Sequence, residues 1–139
     1  MTKTIFATLA LATTVAFAGP AFAEKFKAVL DGKSEVPATT STGTGTADID
    51  YDAATKKISW KLTYTGLSGP ATAAHFHGPA AVGENAKVSV PIPGATSSPA
   101  EGSATLTDAQ AADLAAGKLY VNVHTAANPG GEIRGQVTK

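Results

Sequence analysis

The clearest pattern in the chain runs from 57 to 65. Ile58, Trp60, Leu62 and Tyr64 fall on one side, and Lys57, Ser59, Lys61, Thr63 and Thr65 on the other. A period of two over nine residues predicts a half-buried antiparallel strand. Residues 44–52 repeat it, with Ala47, Ile49 and Tyr51 opposed to Asp48, Asp50 and Asp52, and the segment 52–56 has hairpin length. Phe26, Ala28 and Leu30 mark a first strand that Asp31-Gly32 ends. A loop around Pro37 follows, from Glu35 to Gly43. Shorter strands are expected at 72–77, 87–92, 102–106, 118–125 and 132–137. Pro91 and Pro93 put the second of these at a sheet edge. Thr107-Asp108-Ala109-Gln110 is a capping box opening a short helix (107–116) that Gly117 stops. The predicted fold class is all-β: an antiparallel, Greek-key-like β-sandwich of about eight strands with one short helix.

The first 23 residues do not join this pattern. Lys3 precedes an uncharged apolar run from Ile5 to Ala18. Gly19-Pro20 breaks the run, and Ala21-Phe22-Ala23 forms an A-x-A site. This is the layout of a signal peptide cleaved after Ala23, and the run is short for a membrane span. The expected product is one exported domain, Glu24–Lys139, periplasmic or extracellular, with no membrane span of its own. The whole chain balances eleven basic against eleven acidic residues, so loss of Lys3 leaves a net charge of −1. No basic stripe exists to recruit nucleic acid. Cysteine is absent, so disulfides cannot staple this domain.

All three histidines lie in strands. His75 and His77 flank Phe76, and alternation sends both imidazoles to one face and Phe76 to the core. His124 closes the strand 119–124, in which Leu119, Val121 and Val123 share one face and Tyr120, Asn122 and His124 the other. If the two segments meet, His75, His77 and His124 form a three-imidazole metal site. Imidazole suits copper, zinc, iron and nickel; copper is favoured and zinc is less likely. Folding the last two strands about Pro129 sets His124 opposite Arg134, Asn122 opposite Gln136, Val123 opposite Gly135 and Val121 opposite Val137. Polar then meets polar and apolar meets apolar. In that register Arg134 stands beside His124, where it would support the ligands from behind or attract an anion. Asp48, Asp50 and Asp52 read as a solvated face before they read as a calcium site. Glu35, Glu84 and Glu132 have no partner that the sequence assigns.

Several of these segments resemble the CHRD (chordin) domain family. They are Leu30–Pro37, the histidine motif Thr72–Ala80, and the run from Leu106 to Gly117. The stretches Tyr120–Thr125 and Pro129–Gln136 complete the set, in order over nearly all of 24–139. The resemblance implies a β-sandwich and no single defined activity. A more distant resemblance is to copper-binding superoxide dismutases. In these an HxH strand, a later strand histidine and an arginine surround copper; His75, His77, His124 and Arg134 are similar in order. The fourth copper histidine, the zinc ligands and the cysteine pair have no counterpart, and the loop before the arginine shrinks to Ala126–Gly131. Three functions are therefore open. One is a metal-binding exported protein. Another is a metal-free extracellular or periplasmic binding or structural module. The third is a copper-dependent redox enzyme of the dismutase type. No catalytic residue is assigned.

Overall fold

The computed structural model describes residues 23–139. The expected signal peptide, residues 1–23, lies outside the described residues except for Ala23. The alternating segments form β1 (Glu24–Asp31), β2 (Thr44–Asp52), β3 (Lys57–Thr65), β4 (Ala71–His77), β5 (Val88–Pro91), β6 (Ala100–Thr105), β7 (Tyr120–Thr125) and β8 (Ile133–Gln136). The helix α1 spans Asp108–Ala115. Thr107 caps it, with Thr107 Oγ1 accepting from Gln110 N and Gln110 Oε1 accepting from Thr107 N. Its Gln110 side chain also donates to Ser89 O at 2.8 Å, which ties the helix to β5. Among the described residues no helix is long and apolar enough to cross a membrane.

All eight strands join one antiparallel sheet in the order β5-β4-β7-β8-β1-β2-β3-β6. The β5 strand with its proline is at an edge, as the sequence requires. The sheet folds over on itself into a sandwich. Trp60 of β3 and Phe76 of β4 are far apart in strand order, yet their ring centroids lie 5.4 Å apart at 64°. The fold line is the junction of β8 and β1, where only Asp31 and Arg134 pair within the strands. There Gly135 passes so close to the Val29 backbone that any Cβ would collide with it. One half holds β1, β2, β3 and β6, and the other β4, β5, β7 and β8. The chain crosses between them three times, after β3, β5 and β6.

The inner faces meet in one core. Leu30, Ile49, Ile58, Leu62, Phe76, Val121, Val123 and Ile133 are all buried in it. The outer faces differ. On β1–β3 burial alternates residue by residue. On β7 and β8 it barely alternates, because Tyr120, Asn122 and Arg134 are buried on the outer side too. Three loops cover them: 32–43, 78–87 and 126–132.

The last hairpin departs from the expected register. Asn122 pairs with Arg134, Val121 with Gly135, Val123 with Ile133 and Tyr120 with Gln136. The turn is centred on Asn128 rather than Pro129. Asn128 O accepts from Thr125 N and Gly131 N, and Glu132 N donates to Val123 O at 2.7 Å. A shift of this size keeps every side chain on its face, so polar-to-polar matching fits both registers equally well. The anchor is Glu132. Its carboxylate accepts from Ser41 Oγ, Ser68 N, Ser68 Oγ, Thr125 Oγ1 and Asn128 Nδ2, and the side chain is fully buried.

Candidate metal centre

The site is built on the covered outer face of β4 and β7. These strands pair antiparallel, with Ala73 opposite His124, His75 opposite Asn122 and His77 opposite Tyr120. The register sets His75 and His77 side by side on β4 and brings His124 diagonally to His75. The three ring centroids are 4.9 to 6.0 Å apart. One nitrogen from each ring lies within 4.8 Å of the other two.

The other ring contacts fix which nitrogens are free. His124 Nδ1 faces Pro129 O at 2.8 Å, and His77 Nδ1 faces Ala86 O at 2.9 Å. A carbonyl can only accept, so both Nδ1 atoms carry the proton and each Nε2 presents a lone pair to the site. Outer hydrogen bonds of this kind commonly orient metal-binding histidines. His75 Nδ1 stands 3.0 Å from His124 Nε2. Without an ion, His75 Nδ1 must donate to His124; to bind one, His75 would take its other tautomer, with the proton at Nε2, so that Nδ1 offers its lone pair. His77 Nε2 is buried without any hydrogen-bond partner. Burial, then the charges of the neighbouring histidines, lowers the His75 pKa. Burial also lowers that of His77, against the Ala86 carbonyl, which favours the charged form. Both rings are thus held neutral, the form that binds metal.

The spacing suits an ion. Two nitrogens about 2.0–2.1 Å from a common metal at 90–110° are roughly 2.9–3.4 Å apart. The His75–His124 contact is in that range. The widest nitrogen separation, at most 4.8 Å, has to contract by up to about 1.4 Å to reach the same range.

Arg134 pairs opposite Asn122 rather than opposite His124. Its guanidinium lies over the Tyr120 ring, 3.4 Å from the centroid, and donates to Asn85 Oδ1 and Glu84 O. On its other face Tyr120 stacks on His77, with centroids 4.9 Å apart and planes 2° from parallel. Ala86 O accepts from both Tyr120 Oη and His77 Nδ1. Arg134 therefore reaches the site through a column, Arg134–Tyr120–His77, and through the loop that carries Ala86. It is only 2% exposed.

The family model for the CHRD domain matches residues 26–137. The chain belongs to the CHRD family. No curated protein and no solved structure matches it. Within this CHRD domain the histidine motif and the C-terminal signature are the two stretches that meet at the site.

Sequence reasoning missed Asn122, Glu35 and Glu132. Asn122 is directly across from His75, and only the strand pairing reveals this. Glu35 is buried beside Asn122 and Gly131. Desolvation raises its pKa from 4.5 to about 7, against the lowering charge of Arg134. Glu132 has the opposite balance: burial raises its pKa, but the Ser68, Thr125 and Ser41 hydrogen bonds outweigh it and hold it at about 2. The glycine pair before Glu132 was the one available signal. Gly131 has φ 128°, and a Cβ there would strike Glu35 and Asn122. Asp48, Asp50 and Asp52 line an outer face, where Asp50 pairs with Lys25, and they form no metal cluster with other described residues.

Proposed function

We propose that this CHRD domain is an exported metal-binding module that holds a copper ion through His75, His77 and His124. The observation that carries the reading is the convergence of three imidazole nitrogens within 4.8 Å, two of them with their opposite nitrogens tied to backbone carbonyls. Family membership fits an extracellular binding or structural module. The histidine set adds a ligand to that reading. An all-nitrogen donor set without thiolate favours Cu(II) over the other divalent ions, with zinc second. When bound, the metal would supply a Lewis-acidic, redox-capable centre. The residues of the chain bind and orient it: His77 is fixed by Ala86 and Tyr120, His124 by Pro129, and Arg134 braces Tyr120 from behind.

Efficient superoxide dismutation is not expected. Electrostatic steering toward an anion needs exposed positive charge. The Arg134 guanidinium is buried and committed to Asn85, Glu84 and Tyr120. Titration of the metal-free domain with Cu(II), followed by electron paramagnetic resonance, tests the proposal. One tightly bound ion with nitrogen hyperfine structure supports it. Absence of stoichiometric binding leaves the metal-free binding or structural module as the function.

A further inference from the structure

Among the described residues, four buried side-chain atoms lack a hydrogen-bond partner: Glu35 Oε1, Trp60 Nε1, His77 Nε2 and Asn122 Oδ1. Two of them, His77 Nε2 and Asn122 Oδ1, belong to neighbouring side chains of one outer face. Asn122 is the cross-strand partner of His75, is two residues from His124 on the same face of β7, and is diagonal to His77. Its amide is thus in the middle of the three imidazoles, 2% exposed.

Chemistry restricts what can fill this gap. His77 Nδ1 donates to Ala86 O, so neutral His77 offers only a lone pair at Nε2. Asn122 Nδ2 is directed at Gly130 O, 3.4 Å away. The carboxamide oxygen is therefore turned away from Gly130, on the side where a charged His77 would donate to it. Rotating the amide would turn that oxygen against the Gly130 carbonyl. Two buried lone pairs without a donor are unfavourable, because each has given up its hydrogen bond to water. A cation between them satisfies both.

We propose that Asn122 Oδ1 is the fourth donor of the metal site, giving a set of three imidazole nitrogens and one carboxamide oxygen. This rests on the metal-binding reading above and extends it. A nitrogen-and-oxygen set of this kind suits tetragonal Cu(II) better than a softer cuprous ion. It also fills the position that three histidines alone would leave open to water or to a small anion. The domain is thereby a site for holding copper rather than for turning over a small ligand at it.

The test uses the Cu(II)-loaded domain and azide, an anion that binds open equatorial positions on copper and gives a visible charge-transfer band. Wild type should bind azide weakly. Asn122→Ala should bind it at least about tenfold more tightly and show altered copper resonance parameters, the scale on which groups around a metal act. Asn122→Asp, an isosteric anionic oxygen, should raise Cu(II) affinity by about tenfold and keep azide out. It carries the test if Asn122→Ala fails to fold. Equal azide affinity and identical spectra in wild type and Asn122→Ala would overturn the fourth-donor role while leaving the three-histidine site standing. An Asn122→Asp variant with unchanged copper affinity would do the same. Failure of wild type to bind copper would remove the underlying reading itself.

Discussion

On the outer side of β2, β3 and β6, Asp48, Lys57, Lys61 and Glu101 stand in water. On the outer side of β7 and β8, Tyr120, Asn122 and Arg134 are as buried as the core. Both halves of the sheet obey the same alternation and present apolar residues inward. They differ in what lies above the outer face. Among the described residues nothing covers the first, and its charges meet in solvated pairs such as Lys25–Asp50 at 2.5 Å and Lys61–Glu101 at 4.0 Å. Three loops cover the second, and its polar groups must find partners inside the protein. A polar face becomes a site when it is covered. Desolvation then makes lone pairs, protons and charges consequential.

The comparison can be broken by substitutions of equal size on the two faces. The largest effect is expected at Glu132. Asking Ser41, Ser68, Thr125 and Asn128 to do without their shared acceptor should destabilise the domain by about 3 kcal/mol or more in Glu132→Ala, measured by urea unfolding. The same carboxylate sets an acid limit. Its folded pKa of about 2 lies below the ordinary 4.5, so its stabilisation is full above pH 4.5 and is lost as pH falls toward 2. An acid titration of stability that is flat over that window would contradict this assignment.

Arg134→Ala comes next. It leaves Asn85 Oδ1 and Glu84 O without their donor and removes the cover from Tyr120, for about 2 kcal/mol by the same measurement. A loss under about 0.5 kcal/mol would show that the loop does not depend on it.

Glu35 behaves in the opposite sense to Glu132. Its folded pKa is raised from 4.5 to about 7, so the folded state holds the proton more tightly than the unfolded one. The stabilisation is complete below pH 4.5 and is lost as pH rises through 7. Glu35→Gln should therefore flatten the decline between those limits and exceed wild type in stability at pH 8. Thermal melts across that range decide it; a wild-type profile that does not fall would contradict the burial argument.

The smallest effect belongs to the open face. Lys25→Ala should change stability by less than about 1 kcal/mol, because an exposed ion pair is screened by water and salt. A change as large as that of Glu132→Ala would erase the contrast between the faces.

Legibility in the sequence followed the same division. The open half could be read almost residue by residue, since Ile58, Trp60 and Leu62 alternate cleanly with Lys57, Ser59 and Lys61. The capping box at Thr107 and Gln110 is local and was equally plain. On the covered half the three histidines were visible because HxH on a strand and a later strand histidine share an outward face. Their neighbours were not. Alternation assigns Asn122, Glu132 and Arg134 to the outside and says nothing of a loop laid above them. It also cannot tell a turn centred on Pro129 from one centred on Asn128, since both leave every side chain on the same face. The choice is made by Glu132, through hydrogen bonds to Ser41 and Ser68, more than sixty residues away in the chain.

On the proposed reading, burial and pairing turn the outer face of β4 and β7 into a copper site. Its most direct test is a Cu(II) titration of the metal-free domain beside a variant in which His75, His77 and His124 are all alanine. The wild type should bind one ion tightly per chain, with imidazole hyperfine coupling, and the variant none. Equal stoichiometry and affinity in the two proteins would contradict it.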